Sequence, residues 1–273
     1  MIPFCHVPIH RLFVIALFSL LLGGCLAPNK KPDLVASPVN MSFAFIRGGE
    51  FIMGSDAQSN SRPVHKAKVP DLFVGMYEVT FEQYDQFCEA TGRAKPDDED
   101  WGRDNHPAIN VSWNEANAFA AWLSQATGET YRLPSETEWE YFARAGSTTQ
   151  YWTGSTLPKG VENCGNCGDK RSTGTTPVGS LSPNPWKLFD ILGNVQEWVL
   201  DDYQDNYNNI PTDGSPFLTS KATDKAVRGG AWVYDSDTFG TSIRDFNSPK
   251  AIDRTIGFRL VLEPSSKSAP GAK

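Results

Sequence analysis

The sequence predicts one α+β domain with little regular secondary structure. Three short helices carry the same start and stop signals, strand-like runs are few and brief, and a long segment from Gly146 to Asn184 shows little periodicity. The chain has 273 residues, 40% hydrophobic and 12% aromatic, enough to bury a core in one domain. It shows neither an internal repeat nor a second domain.

The first helix begins at Thr80, with Gln83 three residues on, carries Tyr84, Phe87 and Cys88 on one face, and stops at Gly92. The second begins at Ser112 with Glu115, carries Ala116, Phe119, Ala120 and Leu123, and stops at Gly128. The third begins at Ser135 with Glu138, carries Trp139, Phe142 and Ala143, and stops at Gly146. In each, the hydroxyl accepts from the amide three residues on, while the Gln or Glu reaches back to the cap's own amide. Glycine then permits a left-handed closing residue. Phe43–Ile46 and Glu50–Met53 flank Gly48-Gly49 and read as a hairpin. Leu72–Val79, Ala226–Val227 and Gly257–Leu262 read as further strands. An aperiodic segment as long as Gly146–Asn184 needs an organiser, a metal or a disulfide, or is functional.

The N-terminus reads as an export signal. Arg11 precedes the apolar stretch Leu12–Leu22, which is too short to span a bilayer but fits a signal peptide. Leu22-Gly23-Gly24-Cys25 has the form of a lipobox, so residues 1–24 are expected to be removed and Cys25 lipidated. Residues 25–40 then form a flexible tether, 41–263 the domain and 264–273 a disordered tail. The expected location is the bacterial envelope, with the protein held by lipid in the outer membrane. Cys88, Cys164 and Cys167 remain in the domain. An oxidising compartment permits a Cys164–Cys167 disulfide, and Cys88 reads as a buried small hydrophobe. A formal charge of −7 with no Lys/Arg run speaks against a nucleic-acid surface. His65 and His106, outside the signal, read as ordinary surface residues, so no nucleophile triad is visible.

Asp190-x-x-Gly193-x-Val195-x-Glu197 places two carboxylates around a glycine turn with carbonyls between them. Calcium takes six to eight oxygens in a flexible cage, and this segment offers several. The alternative pairs Glu197 with Arg228 or Arg259 beside a buried Trp198. Further on, residues 231–247 mix Trp232, Tyr234 and Phe239 with Asp235, Ser236, Asp237, Arg244 and Phe246. Aromatics among short polar groups suit a binding surface; Trp232, following Gly229-Gly230, is assigned to the core.

Seven short blocks in order carry a family resemblance: Gly49-Glu50-Phe51-Ile52-Met53-Gly54; Glu78-Val79-Thr80; Pro107 through Val111-Ser112-Trp113; Tyr131 through Glu140; Gly193-Asn194-Val195-Gln196-Glu197-Trp198; Arg228-Gly229-Gly230; and Gly257-Phe258-Arg259. From about Phe45 to Val261 the chain resembles the formylglycine-generating enzyme, or sulfatase-modifying factor, family. The resemblance implies a C-type-lectin-like fold. It also implies calcium held by Asp190, the carbonyls of Gly193 and Val195, and Glu197. A second calcium would map onto Asn163, the Cys164 carbonyl, Asp169 and the Arg171 carbonyl, in a loop shorter than the family's; the other reading of that loop is closure by the disulfide alone. In the enzyme, two cysteines bind copper and activate oxygen. By alignment Tyr234 and Phe239 stand at their positions, and neither supplies the soft sulfur that copper(I) needs. Copper and copper-dependent formylglycine generation are therefore not expected.

Three functions fit. The first is a calcium-braced binding module for a protein or glycan, of the kind seen among diversified display proteins of this fold. The second is a cysteine-free periplasmic maturation enzyme, in siderophore tailoring or secretion-system modification. The third is a structural accessory lipoprotein of an envelope complex. Oligomeric state is left open.

Overall fold

The computed structural model describes residues 39–264 and the backbone of Leu34–Ala36. The expected signal peptide, the lipidated Cys25 and the tail beyond Pro264 lie outside the described residues. Among those described, no helix is long and apolar enough to cross a membrane.

In chain order the elements are β1 (Leu34–Ala36), β2 (Ser42–Ile46), β3 (Gly49–Met53), β4 (His65–Val69), β5 (Leu72–Gly75), α1 (Phe81–Thr91), α2 (Trp113–Thr127), β6 (Tyr131–Arg132), α3 (Glu136–Arg144), β7 (Gln196–Asp202), β8 (Lys225–Arg228), β9 (Arg244–Asn247), β10 (Ile256–Gly257) and β11 (Val261–Leu262). An antiparallel sheet runs β1-β2-β5-β11-β6. A second runs β10-β7-β8-β9, with β10 parallel to β7, and β3 pairs with β4 alone.

All three capping boxes form, with both reciprocal bonds present at Thr80, Ser112 and Ser135. Gly92 and Gly128 close their helices in the left-handed region, as expected. In α3 the closing residue is Ala145, at φ 45°, and Gly146 follows it. The expected β2–β3 hairpin does not form, because the two strands enter different sheets. Gly48 is not a turn residue but a point of close approach: a Cβ there would lie 2.3 Å from the Val69 carbonyl oxygen. Its amide donates to Asp71 Oδ1. The Leu72–Val79 run is a strand only to Gly75, and Gly257–Leu262 splits into β10 and β11 in separate sheets. Within the expected tether over 25–40, Leu34–Ala36 pairs antiparallel with β2.

α1 and α2 pack their apolar faces on the larger sheet. Tyr84 stacks on Phe119, and Phe87 and Phe258 meet Phe119 edge-on. Each such fully buried ring stabilises the fold by about 2–3 kcal/mol. Cys88 is buried in this cluster. A second cluster unites Trp139 and Phe142 of α3 with Leu188, Ile191, Val199 and Phe239.

No helix or strand is assigned between α3 and β7. The segment is ordered by the Cys164–Cys167 disulfide and by two buried asparagines. Asn184 donates to the Phe142 carbonyl and accepts from the amides of Trp186 and Leu188. Asn194 donates to Glu78 and the Thr176 carbonyl, and accepts from the Thr176 amide and the Asn163 side chain. Such fully used side-chain amides replace the ladder bonds this backbone lacks.

Candidate functional site

Two groups of buried charge meet the second core cluster. The first grows from α3, where Glu136, Glu140 and Arg144 follow at i, i+4 and so share one face. Glu136 accepts from Arg228 Nη1 at 2.8 Å and from Arg244 Nε and Nη2 at 2.6 and 2.8 Å. Glu140 accepts from Arg228 Nη2, from Arg144 Nε and Nη2, and from the Gly54 amide. Tyr207 hydroxyl accepts from Arg228 as well. Burial alone would raise the Glu136 pKa; Arg244 and Arg228 overcome it and hold the carboxyl down at about 2. Asp201 accepts from the amides of Glu136 and Phe217 beside this group.

The second group gathers Glu78, Glu162, Asp190 and Glu197 around Arg259, all buried. Glu197 accepts from Arg259 Nε at 2.8 and 2.9 Å and from Trp139 Nε1 at 2.8 Å. Of the two pairings left open for Glu197, the one to Arg259 forms; Arg228, in β8, pairs with Glu136 and Glu140 of α3. Glu78 accepts from Asn194 Nδ2 and the Val195 amide. Asp190 Oδ2 accepts from the Gly179 amide, but its Oδ1 is buried with no partner. Glu162 Oε1 accepts from Trp152 Nε1, and its Oε2 is likewise buried without a partner. Burial raises both carboxyls, Glu162 to about 8 with the charge of Asp190 adding, and Asp190 to about 6. The 162–163 backbone sits against Gly193, where a Cβ would lie 2.7 Å from the Asn163 carbonyl oxygen. Gly193 is thus required by the approach of a second loop.

Among the described residues no three His, Cys, Asp or Glu side chains group as metal ligands. The expected set at Asp190, Gly193, Val195 and Glu197 is assembled in part: Asp190 offers a free oxygen, whereas both oxygens of Glu197 are occupied. Two partnerless buried carboxylate oxygens suit a hard cation, which takes oxygen ligands only. The second expected set comprises Asn163, the Cys164 carbonyl, Asp169 and the Arg171 carbonyl. Asn163 is buried and donates to the Gly174 carbonyl, while the Asp169 side chain is 98% exposed. The Cys164 side chain is in the disulfide and the Arg171 guanidinium turns to Asp235 Oδ1 and the Val233 carbonyl, contacts that involve the side chains and not the two expected carbonyl ligands.

The expected binding surface over 234–246 is narrower than its sequence implied. Phe239 is buried, its ring against Gly230 and edge-on to Tyr151. Arg244 is buried on Glu136. Both were expected on the surface; apolar packing and ion pairing take them inside. Tyr234, Asp235 and Ser236 are half-buried and Asp237 is exposed. Phe246 is exposed and stacks on Tyr203 at 4.3 Å. Trp232 is in the interior, as expected, edge-on to Trp101 at 4.8 Å with the Arg254 guanidinium over it.

The two histidines are not plain surface residues. His65 meets Tyr207 edge-on, and His106 Nδ1 bonds Thr175 Oγ1 at 2.9 Å. Sequence reasoning missed Glu162 and the depth of Glu78. Glu162 carries no local signal; Glu78 stands in the Glu78-Val79-Thr80 block, whose acid so close to a helix cap was the clue available.

The Sulfatase-modifying factor enzyme 1-like domain matches residues 30–264. The serine/threonine-protein kinase Pkn1 of Chlamydia trachomatis serovar L2 is 31% identical over 260 residues, covering 86% of this chain and 40% of Pkn1. The chain thus spans about two fifths of that relative, and the kinase activity in its name is that protein's. The formylglycine-generating enzyme of Thermomonospora curvata is 25% identical over 305 residues, covering 87% of this chain and 97% of the enzyme. The solved structure of PvdO from Pseudomonas aeruginosa superposes with a TM-score of 0.76 at 29% identity, covering 86% of this chain and 99% of PvdO. On this match, with its α+β, C-type-lectin-like fold, the chain belongs to the formylglycine-generating enzyme, or sulfatase-modifying factor, family.

Proposed function

We propose that this chain is an exported lipoprotein of the bacterial envelope, anchored through Cys25, whose domain binds a protein or glycan ligand instead of oxidising a thiol. Phe239 carries the reading. At a position where the family's enzyme has a copper-binding cysteine, a phenyl ring is packed into the core against Gly230. Tyr234, at the other position, is half-buried and offers a phenol. The described thiols do not compensate: Cys164 and Cys167 are joined, and Cys88 is buried in α1. The surface left beside these positions is Tyr234, Asp235, Ser236 and Asp237, with Arg171 and the Trp101–Trp232–Arg254 stack as neighbours. Rigid rings among adaptable polar groups are the chemistry of a recognition surface.

We further infer that calcium braces this surface from beneath. Asp190 and the carbonyls of Gly193 and Val195 would hold it, with Glu162 supplying the second carboxylate that Glu197, engaged by Arg259, does not. The test is incubation of the purified chain with copper(I), oxygen and a cysteine-containing peptide, followed by mass spectrometry. The peptide is expected unchanged; conversion of its cysteine to the aldehyde rejects the reading. Anchoring is checked by Cys25→Ser, expected to shift the protein from the membrane to the soluble fraction.

A further inference from the structure

The 232–236 surface hangs from the two chain segments that carry the proposed cation ligands. Asn194 stands between Gly193 and Val195, and its carbonyl accepts from the Trp232 amide at 2.9 Å. On the Glu162 segment, the Gly165 amide donates to the Tyr234 carbonyl at 2.6 Å, and Asn166 Oδ1 accepts from the Ser236 amide at 2.8 Å. Arg171 holds the Val233 carbonyl and Asp235, and the Ser172 amide beside it donates to the Gly165 carbonyl. The approach is so close that a Cβ on Gly165 would lie 2.7 Å from the Val233 carbonyl oxygen. The Tyr151 hydroxyl, on the Ser236 carbonyl, adds a bond from outside these segments.

The two segments are also bound to each other. The Asn194 amide donates to the Asn163 carbonyl at 2.7 Å, and Asn163 Nδ2 donates to Asn194 Oδ1. Cys164 is tied to Cys167, so Gly165 and Asn166, inside the closed loop, have little freedom to move apart from Asn163. In the same segments Asp190 Oδ1 and Glu162 Oε2 are buried without a partner. Such an oxygen costs free energy until a cation, a proton or water reaches it. A cation satisfies both oxygens from inside and draws the segments together. Water reaches them only when the segments part, and the bonds to Trp232, Tyr234 and Ser236 loosen with them.

We propose that the cation gates this surface: calcium held between Asp190 and Glu162 orders residues 232–236, and a ligand on those residues tightens calcium in return. Two events that favour the same arrangement favour each other, so the effect is reciprocal. It is carried by order, and its observable is protection of the surface amides. Asn166 is a positioning residue in this link. It is exposed and is not among the cation ligands, so Asn166→Ala removes the Ser236 bond and leaves the cation site whole. The gating rests on the calcium reading above and adds that the surface depends on it.

The test is amide hydrogen exchange, read residue by residue, on the purified chain in calcium and in chelator, with calcium binding measured by titration calorimetry. Calcium is expected to slow the Trp232 and Ser236 amides at least about fivefold more than the amides of α1 and α2, the lower end of ordinary coupling between sites. Asp190→Asn abolishes the slowing at both. Asn166→Ala still binds calcium and keeps the slowing at Trp232 but loses it at Ser236. Calcium bound with slowing no greater at these amides than in α1 and α2, or Asn166→Ala behaving as wild type, overturns the gating and leaves the cation reading standing. Absence of calcium binding overturns both.

Discussion

The two buried charge groups differ in balance. On α3, guanidiniums of Arg144, Arg228 and Arg244 hold every oxygen of Glu136 and Glu140. Around Arg259, four carboxylates face one guanidinium, and Asp190 Oδ1 and Glu162 Oε2 stay without partners. A buried ion-pair group whose carboxylate oxygens are all engaged is a brace, costly to break from either side, even with Arg228 Nε left without a partner. An anionic group with orphaned oxygens is unfinished by protein alone and calls for a cation or a proton. The first therefore positions the β8–β9 region, and the second is where the proposed calcium would add stability.

The sharpest way to break this contrast is to remove one carboxylate from each group. Glu136→Ala leaves Arg244 in the interior without a carboxylate and Arg228 with Glu140 alone, and is expected to cost about 3–5 kcal/mol in urea unfolding. Glu162→Gln, in chelator at neutral pH, is expected to leave stability within about 1 kcal/mol of the wild type, since burial and the Asp190 charge, which raise this carboxyl to about 8, already keep it largely neutral there. Equal losses in both would erase the distinction.

Acid separates them next. The Glu136 pKa lies near 2, below its ordinary 4.5, so its stabilisation is present above 4.5 and lost as pH falls toward 2. About 3 kcal/mol is expected to disappear over that window, with a shallower slope in Glu136→Gln, read from denaturation midpoints. Calcium tests the other side. At a hundred times its dissociation constant it is expected to add about 2.7 kcal/mol to the wild type and nothing to Asp190→Asn. A melting temperature indifferent to calcium in the wild type would remove the cation from this account.

Smaller effects probe the elements that hold the two groups apart. Gly230→Ala puts a Cβ 2.5 Å from the Phe239 ring and 2.8 Å from the Leu192 carbonyl oxygen. It is expected to cost about 1–3 kcal/mol by overpacking. Ser112→Ala, which loses only the α2 cap, is expected to cost about 1 kcal/mol.

Local chemistry was legible in the chain before any fold was known. Thr80, Ser112 and Ser135 start their helices because a cap needs only a hydroxyl and an amide three residues on. The seven short blocks were enough to suggest the family, because Gly193 and Gly230 stand where another segment approaches too closely for a Cβ. Burial and partner choice were not legible. Phe239 and Arg244 looked like surface because an aromatic and a cation in a polar loop carry no mark of what lies beneath them. Glu162 stands in a loop without periodicity, and only the fold brings it near Asp190. Short-range hydrogen bonds are written in neighbouring residues. A buried charge depends on groups dozens of positions away, and the tertiary structure alone decides which of them arrive.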